Sequence, residues 1–404
     1  MKILQICHKP PLPALDGGCI AIHNITKGLL ACGHNVKVLS ITTPKHPLQP
    51  GKIPQEYLQE THFESVFIDT KIKSYHALLS LIKKESYHVS RFISKEFDRK
   101  LISVLQGEYF DIVQLESIFV APYISTIRAH SNAKIVLRTH NVEHKIWERF
   151  IVQQKNILKR TVLKKMVEQL RRYELSVFDH IDGFLAISEP DYLFFHHSFP
   201  HLHGTMIPAG IDMENYEADE NYIPSGKPEL FHIGSMNWMP NIEGLEWFFK
   251  EVWDKILQKF PDLTFTLAGR HFPKSWEHLS IPNVIMEGEV DNANQFILSK
   301  DIMIVPLLSG SGVRIKILEG MALGKTVITT PIGAEGLDIE NGKNIFIAHT
   351  PREFVEIIEK CINTPDICKI IGENARRYVA LNHNNQIITT HIVSLYHELL
   401  RAGI

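Results

Sequence analysis

Residues 302–329 read IMIVPLLSGSGVRIKILEGMALGKTVIT, and the fold class follows from their pattern. The stretch opens with the short apolar run Ile302–Val305 and closes with a second one, Thr326–Thr329. Between them lie a Ser/Gly-rich loop and a helical pattern over about 313–323. Short β-branched runs are typical of parallel strands buried on both faces. The stretch therefore predicts a strand–helix–strand unit of an α/β fold.

The same alternation of strands and helices continues on both sides of this unit. The further predicted strands are Lys2–Cys7, His34–Ile41, Ile112–Leu115, Ile135–Arg138, Gly183–Ile187, Leu230–Gly234, Leu263–Ala268 and Val284–Met286. The pattern weakens across 198–228, and we place an interdomain linker at about 205–225. The sequence predicts two doubly wound, Rossmann-like α/β domains that face each other across a cleft, with ligands at the carboxyl ends of strands.

Length and composition exclude several classes of protein. A chain of 404 residues, 44% hydrophobic and 22% charged, is typical of a soluble protein with two or three domains rather than a disordered or membrane-spanning chain. Its five cysteines form no C-x-x-C pair, which disfavours a disulfide framework or a cysteine-based zinc site. No secretory signal pattern is visible at the N-terminus. We therefore expect a cytoplasmic protein.

Charge is distributed unevenly along the chain. Residues 1–200 hold 26 Lys and Arg against 19 Asp and Glu, whereas residues 201–404 hold 17 against 26. The basic excess concentrates in two amphipathic segments, 71–100 and 140–174. Such segments can lie on an anionic membrane surface, so peripheral contact with the inner face of the cytoplasmic membrane is one interpretation. An ordinary solvated helix face is the other. A nucleic-acid partner is not expected, because no motif of that class is present.

The loop and helix of residues 306–323 carry the clearest chemistry. A glycine-rich loop that leads into a helix presents free backbone N–H groups, and the helix dipole favours an anion there. Arg314 and Lys316 stand in the predicted first turn, where a cation is unfavourable by about 0.3–1 kcal/mol. A bound phosphate would compensate, and the segment therefore indicates a phosphate site.

Helical spacing places Glu319 beside Lys316, because residues i and i+3 are neighbours on a helix surface. A carboxylate one turn beyond a diphosphate can accept hydrogen bonds from two vicinal hydroxyls, as on a ribose. The cation and the carboxylate together indicate a nucleotide. The alternative interpretation is a weak surface ion pair between the two side chains.

Several short motifs occur in order along both halves of the chain. They are Gly17-Gly18, RTHNVEH at 138–144, GSMNWMPNIEGL at 234–245, LAG at 267–269, GEV at 288–290, GSGVRIKILEGMA at 310–322 and GAEG at 333–336. As a set they resemble the family 4 retaining glycosyltransferases (glycosyl transferases group 1). The resemblance is strongest to a bacterial branch that assembles surface polysaccharide and lipopolysaccharide.

The resemblance implies the GT-B fold, in which one domain binds the acceptor and the other binds the donor. Residues 1–205 would bind the acceptor, completed by a C-terminal helix at about 385–404, and residues 206–384 would bind the donor. The implied enzyme is a hexosyltransferase that moves a sugar from a nucleotide-diphosphate donor to a glycan or lipid-linked acceptor in bacterial cell-surface glycan assembly. It would need no obligatory metal and no other cofactor.

The resemblance also assigns roles to single residues. His140 would contact the transferred sugar, while Arg314 and Lys316 would hold the diphosphate, so these three are the implied catalytic residues. Glu319 would bind the donor ribose. The remaining residues implied in donor binding are Gly17, Gly18, Gly234, Gly269, Glu289, Val290, Ser311, Gly312 and Glu335.

The sequence departs from the family pattern at three positions. Ser311 stands where many members carry a glutamate, and Ser235 and Asn241 stand near the usual Arg and Lys. We interpret this as a change in the position of the positive charge: Arg314 and Lys316 supply the charge that the 234–241 loop lacks. Two main functions stay open: an active transferase with a front-face retaining mechanism, and a catalytically weak or inactive GT-B scaffold or partner subunit that binds a nucleotide-sugar. A sugar-nucleotide epimerase on the same fold is a third, weaker alternative.

Overall fold

The chain divides into two compact units. Unit 1 comprises Met1–Gly210 with Asn385–Ile404, and unit 2 comprises Ile211–Asn384. The structure, a computed structural model, describes residues 1–71, 80, 85–152, 154, 156–218, 228–276, 281–310 and 312–402. Within these residues, no helix combines the length and the apolar character that crossing a membrane requires.

Unit 1 is built on a seven-stranded parallel sheet. Its strands are β1 (Lys2–Cys7), β2 (Asn35–Thr42), β3 (Glu64–Phe67), β4 (Ile112–Glu116), β5 (Lys134–Thr139), β6 (Gly183–Ala186) and β7 (His203–Met206). Their spatial order is β3-β2-β1-β4-β5-β6-β7. The order reverses between β1 and β4, and ligands of doubly wound sheets bind at the carboxyl ends of strands at such a switch point.

Helices cover both faces of this sheet. They are α1 (Gly17–Ala31), α2 (Gln55–Thr61), α3 (Tyr87–Ser90), α4 (Lys95–Gly107), α5 (Ile124–His130), α6 (Glu143–Val152), α7 (Ile157–Val177), α8 (Glu189–Ser198) and the C-terminal helix Asn385–Arg401. The C-terminal helix shares one apolar cluster with α1 and the sheet, which includes Ile3, Ile22, Val38, Ile388, Ile392 and Leu399. Burial of this face explains why the last helix belongs to unit 1.

Unit 2 repeats the design with six parallel strands. They are β8 (Leu230–Ile233), β9 (Phe265–Ala268), β10 (Val284–Gly288), β11 (Ile302–Val305), β12 (Thr326–Thr329) and β13 (Phe346–Ile347), in the spatial order β10-β9-β8-β11-β12-β13. The helices are α9 (Met239–Phe248), α10 (Asp254–Lys259), α11 (Ala293–Leu298), α12 (Ile315–Ala322), α13 (Pro351–Asn363) and α14 (Pro365–Asn382). A π-helical turn, Phe249–Trp253, joins α9 to α10.

The two sheets confirm the predicted α/β class with two Rossmann-like domains. The structure corrects the start of α12, because Arg314 has extended backbone angles and is the residue before the first helical turn. Lys316 is therefore the second helical residue, and the loop before the helix is longer than predicted. Of the two basic segments, 71–100 includes twelve residues outside the described part of the chain, and 140–174 is described except for residues 153 and 155.

Candidate functional site

The ammonium group of Lys316 lies at the carboxyl end of the central strands of unit 2. Its Nζ donates to Asn241 Oδ1 at 2.8 Å and lies 3.3 Å from Nε2 of His232, a buried residue of β8. Nδ1 of His232 lies 2.8 Å from the carbonyl oxygen of Ile304. Because a carbonyl only accepts, Nδ1 carries the proton and Nε2 accepts from Lys316. Two uncharged acceptors therefore hold the ammonium group.

This environment disfavours the charged form of Lys316. Burial lowers the pKa of Lys316 to about 7, with the Glu319 carboxylate acting in the opposite direction and Arg314 adding to the decrease. Burial, and then the charge of Lys316, hold the pKa of His232 well below its usual range, so the imidazole stays neutral. An anion at this site would restore the charge of Lys316, because an opposite charge favours the ionised form.

Arg314 is 4% exposed and joins two loops. Its guanidinium donates to the carbonyl oxygen of Gly312 and, at 3.3 Å, to that of Ile332. Burial lowers the pKa of Arg314, and the charge of Glu335 opposes this change. The guanidinium thus fixes the loop that precedes α12 against the segment that follows β12.

Trp238 lies beside both cations. The centroid of its ring is 5.7 Å from Cζ of Arg314 and 6.0 Å from Nζ of Lys316. An aromatic face attracts a cation by about 0.5–1 kcal/mol at a partly exposed position. The indole therefore helps to keep the two cationic groups together in unit 2.

Glu319 lies one turn further along α12. The hydroxyl of Tyr216 donates to Oε1 of Glu319 at 3.1 Å. Burial raises the pKa of Glu319, and both the Tyr216 hydrogen bond and the charge of Lys316 oppose this increase. Arg376 anchors the tyrosine, because its NH1 donates to the carbonyl oxygens of Tyr216 at 2.6 Å and Ala322 at 2.5 Å. The carboxylate is thus held in place at one oxygen.

Two of the predicted glycines of unit 2, Gly234 and Gly269, are closely packed. Gly269 has a φ of +145°, and a Cβ there would lie 1.7 Å from the carbonyl oxygen of Gly234. A Cβ on Gly234 would lie 2.4 Å from Nζ of Lys316. Gly269 therefore requires glycine, since any side chain there would collide with backbone, whereas a side chain at Gly234 would displace the ammonium group of Lys316.

The other residues predicted to bind the donor are exposed, partly buried or outside the described residues. Glu289 is exposed, and its Oε1 lies 3.1 Å from Nε of Arg270. Val290 follows β10 and is partly buried, and Glu335 is exposed. Ser311 lies outside the described residues. The structure therefore brings Arg314, Lys316 and Glu319 together on one loop and helix.

In unit 1, His140 follows β5 and faces a buried carboxylate. Its Nε2 lies 2.9 Å from Oε2 of Glu116, and NH1 of Arg138 donates to the same oxygen at 2.9 Å. Burial disfavours ionisation of Glu116, but the Arg138 charge and the His140 hydrogen bond hold its pKa well below the usual range. Burial also lowers the pKa of His140. His140 is therefore a neutral imidazole beside an ionised carboxylate near pH 7.

The predicted Gly17-Gly18 pair begins helix α1. Asp16 caps this helix by accepting from the backbone N–H of Cys19 at 2.9 Å, and its carboxylate also contacts Lys9 at 2.7 Å and His46 at 2.9 Å. A Cβ on Gly18 would lie 2.4 Å from the Lys9 ammonium group. Asp16, Cys19 and His46 are close enough to share a metal ion, but the contacts of both carboxylate oxygens describe a helix cap and an ion pair.

Sequence reasoning missed three residues that hold the predicted ones. They are Glu116, Tyr216 and His232. The available signal was a polar residue within an apolar strand for His232, and a carboxylate directly after the predicted strand Ile112–Leu115 for Glu116. Tyr216 gave no such signal, because it lies in the segment predicted as a linker.

Comparisons with known proteins concern the family and the fold of the chain. Residues 227–364 match the family model described as glycosyl transferases group 1. An uncharacterised 44.6 kDa protein in the cps region of Klebsiella pneumoniae is 22% identical over 402 residues, which is 97% of this chain and 98% of that protein. CapM of Staphylococcus aureus, a capsular polysaccharide biosynthesis glycosyltransferase, is 29% identical over 124 residues, 30% of this chain and 32% of CapM.

One solved structure is similar along nearly the whole chain. The complex of HepE from Anabaena with UDP superposes with a TM-score of 0.67 at 14% identity and covers 98% of this chain and 100% of that chain. At this level of identity the likeness shows the fold, which is that of the GT-B proteins.

Proposed function

We propose that the chain, whose residues 227–364 match the glycosyl transferases group 1 model and which has the GT-B fold, is a retaining glycosyltransferase. Its donor is a nucleotide-diphosphate sugar, and its acceptor is a glycan or a lipid-linked glycan. The observation that carries the proposal is the ammonium group of Lys316. It is desolvated, held by neutral groups and placed beside Arg314 and Glu319, and a nucleotide diphosphate would compensate this arrangement of charges.

The reaction follows from the roles of these residues. The acceptor hydroxyl forms a bond to the anomeric carbon on the face from which the diphosphate leaves. The bond from that carbon to the phosphate oxygen breaks, and the leaving phosphate takes the acceptor proton. Lys316 and Arg314 stabilise the charge that develops on the diphosphate, so neither a protein base nor a metal ion is required. Glu319 binds the ribose, and His140 contacts the transferred sugar.

Cell-surface polysaccharide assembly is the process that we propose for this activity. The support comes from the relative in the Klebsiella pneumoniae cps region, which matches along nearly the whole chain, and from the capsular glycosyltransferase CapM. We do not assign the nucleotide base of the donor. The turn at 288–290 would contact the base through backbone groups, and backbone groups carry little sequence information.

Helix α7 supports a membrane-facing location of unit 1. Ile157 and Leu158, at its start, are 78% and 80% exposed, and Lys159 and Arg160 follow directly. Exposed aliphatic side chains next to basic groups suit the boundary of an anionic lipid surface. We propose that this end of α7 contacts the cytoplasmic membrane face, where a lipid-linked acceptor would be found.

A nucleotide-sugar-binding scaffold without activity is the second candidate function. Ser311 favours it, because a serine stands where many members of the resembled family carry a glutamate. Under this reading the donor still binds in unit 2, but it is not consumed. Loss of the donor with and without a glycan acceptor separates the two functions.

Thermal unfolding with UDP, GDP, ADP, CDP and dTDP, without added metal, tests the nucleotide site. We expect one nucleotide to stabilise the protein by about 2.7 kcal/mol at a hundred times its dissociation constant, or several degrees in melting temperature. Glu319→Ala should abolish this shift. Glu373→Ala, which removes an exposed carboxylate of α14, is the matched control and should keep it. A chain that responds to none of the five nucleotides would overturn the proposal.

A further inference from the structure

Three side chains meet at the switch point of the sheet in unit 1. His8 directly follows β1, Glu116 is the last residue of β4, and His140 directly follows β5. These strands are adjacent and parallel, so their carboxyl ends lie side by side. The rings of His8 and His140 are 5.4 Å apart between centroids and meet edge to face at 85°. Two imidazoles therefore lie together at the position where doubly wound sheets bind ligands.

Glu116 determines which nitrogen of each imidazole carries the proton. Its carboxylate faces Nε2 of His140 at 2.9 Å, and its backbone carbonyl faces Nδ1 of His8 at 2.8 Å. An ionised carboxylate and a carbonyl both accept hydrogen bonds only. His140 must therefore donate from Nε2 and His8 from Nδ1. The remaining nitrogens, Nδ1 of His140 and Nε2 of His8, carry lone pairs that can accept from a hydroxyl.

The carboxylate that fixes these rings is itself fixed. Besides His140, it accepts from the side chains of Arg138, Gln5 and Gln114. Gln5 is held because its Oε1 accepts from the hydroxyl of Thr26 on α1 at 2.6 Å.

Gln114 is held in the same way, because its Oε1 accepts from the hydroxyl of Tyr396 on the C-terminal helix. Elements from both ends of the chain thus brace one buried carboxylate. A buried hydrogen-bond network of this kind makes the core more rigid and favours a single arrangement of its side chains.

Several charged groups act on the two imidazoles. Burial lowers the pKa of both rings. The positive charge of Lys9 lowers it further for both, Arg138 does so for His140, and Glu116 opposes these effects. The rings are consequently neutral near pH 7, which is the state in which one nitrogen donates and the other accepts.

We propose that Glu116 is a positioning residue that holds His140 as the Nε2–H form and His8 as the Nδ1–H form, so that both present an accepting nitrogen to sugar hydroxyls. This assignment adds His8 to the sugar-contacting residues. It rests on the proposed function, because that function places His140 against the transferred sugar. Glu116 touches no substrate and acts through the two rings.

The protonation of the rings can be read directly by NMR. We expect long-range ¹H–¹⁵N spectra of histidine-labelled wild-type protein to show His140 protonated at Nε2 and His8 at Nδ1. The signals are assigned by their loss in His140→Gln and His8→Gln. A wild-type His140 protonated at Nδ1, or a His8 protonated at Nε2, would overturn the proposal. This NMR measurement requires neither enzyme activity nor a folded Glu116 variant.

Glu116→Gln tests the cause. The glutamine amide places an N–H among groups that all donate, and among these only His140 can become an acceptor without giving up another hydrogen bond. We expect His140 to shift to the Nδ1–H form, while His8 stays unchanged because its partner is a backbone carbonyl. An unchanged His140 would contradict the proposal.

Glu174→Gln is the matched control for a buried Glu–His pair. Oε2 of Glu174 lies 2.5 Å from Nδ1 of His144 in the same unit, and this variant should alter the His144 signals only.

Activity provides the second readout. With the donor identified by nucleotide binding, Glu116→Gln should lower kcat by about 10- to 100-fold and leave the nucleotide dissociation constant unchanged. An unchanged kcat would overturn the positioning role. If His140→Gln keeps full activity while the wild-type NMR forms are as expected, the role of His140 in the proposed function is wrong, and the effect of Glu116 on the rings still stands.

Discussion

The carboxyl ends of the central strands carry opposite charge arrangements in the two units. In unit 1 a buried carboxylate, Glu116, lies against the guanidinium of Arg138, and every partner around it donates. In unit 2 the ammonium group of Lys316 lies against two neutral acceptors, and burial lowers its pKa to about 7. The strand order around both switch points is the same. The fold therefore determines where the polar groups lie together. The identity of the side chains determines whether a buried charge is paired with an opposite charge.

Removing the balanced charge should have the largest effect. Glu116→Ala leaves Arg138 buried without its carboxylate, and breaking a buried pair in this way costs about 3–5 kcal/mol. Denaturant unfolding measures the loss. Glu168→Ala, which removes an exposed i,i+4 partner of Arg172 on α7, should change the free energy of unfolding by less than about 1 kcal/mol. Equal effects of the two variants would show that the network in unit 1 is not a balanced buried charge.

Removing the unbalanced charge, that of Lys316, should have the opposite effect on the free energy of unfolding. Lys316→Met keeps the length of the side chain but removes a desolvated cation, so the free energy of unfolding should stay unchanged or rise. Transfer should fall by about 10²–10³-fold, because the developing charge of the diphosphate loses a preorganised partner. Unfolding and steady-state kinetics on the same preparation check both expectations. A strongly destabilised variant would mean that Lys316 is a structural residue.

The fold could be predicted from the sequence because its strongest signal is local. Apolar runs such as Ile302–Val305 and Ile112–Leu115 need no partner to be recognised. The strands that were not predicted are β3, β7 and β13, each of four residues or fewer. In β7 the sequence HGTM contains a single large apolar residue, so its place in the sheet depends on its neighbours rather than on its own pattern.

The site could be predicted only in part, for a related reason. Arg314, Lys316 and Glu319 lie within one loop and helix, so spacing alone brings them together. Their supports come from far along the chain, since His232 is 84 residues from Lys316 and Tyr216 is 103 residues from Glu319. In unit 1, Gln114 and Tyr396 are separated by 282 residues. No local pattern indicates such pairs, because they are brought together only by the packing of the sheet and its helices.

The smallest expected effect is the pH dependence of nucleotide affinity. It distinguishes the two units, because it depends on Lys316 in unit 2 and not on Glu116 in unit 1. In the free protein the folded Lys316 has a pKa of about 7, below its ordinary value of 10.5. Between these values the unfolded chain binds more protons, so this group makes the free energy of unfolding rise with pH. A bound diphosphate raises the pKa again. The contribution of Lys316 to nucleotide affinity should therefore be constant below pH 7 and weaken above it, by up to about tenfold per pH unit.

Calorimetric titration of the nucleotide on both sides of pH 7 measures this dependence. Lys316→Met should remove it and leave only the titration of the nucleotide itself, whereas Glu116→Gln should retain it, since Glu116 lies in unit 1. A wild-type affinity that does not change across pH 7 would show that the ammonium group gains nothing from the diphosphate. A Lys316→Met variant with the wild-type pH dependence would assign the titration to another group. Either result would remove the difference in charge balance between the two switch points.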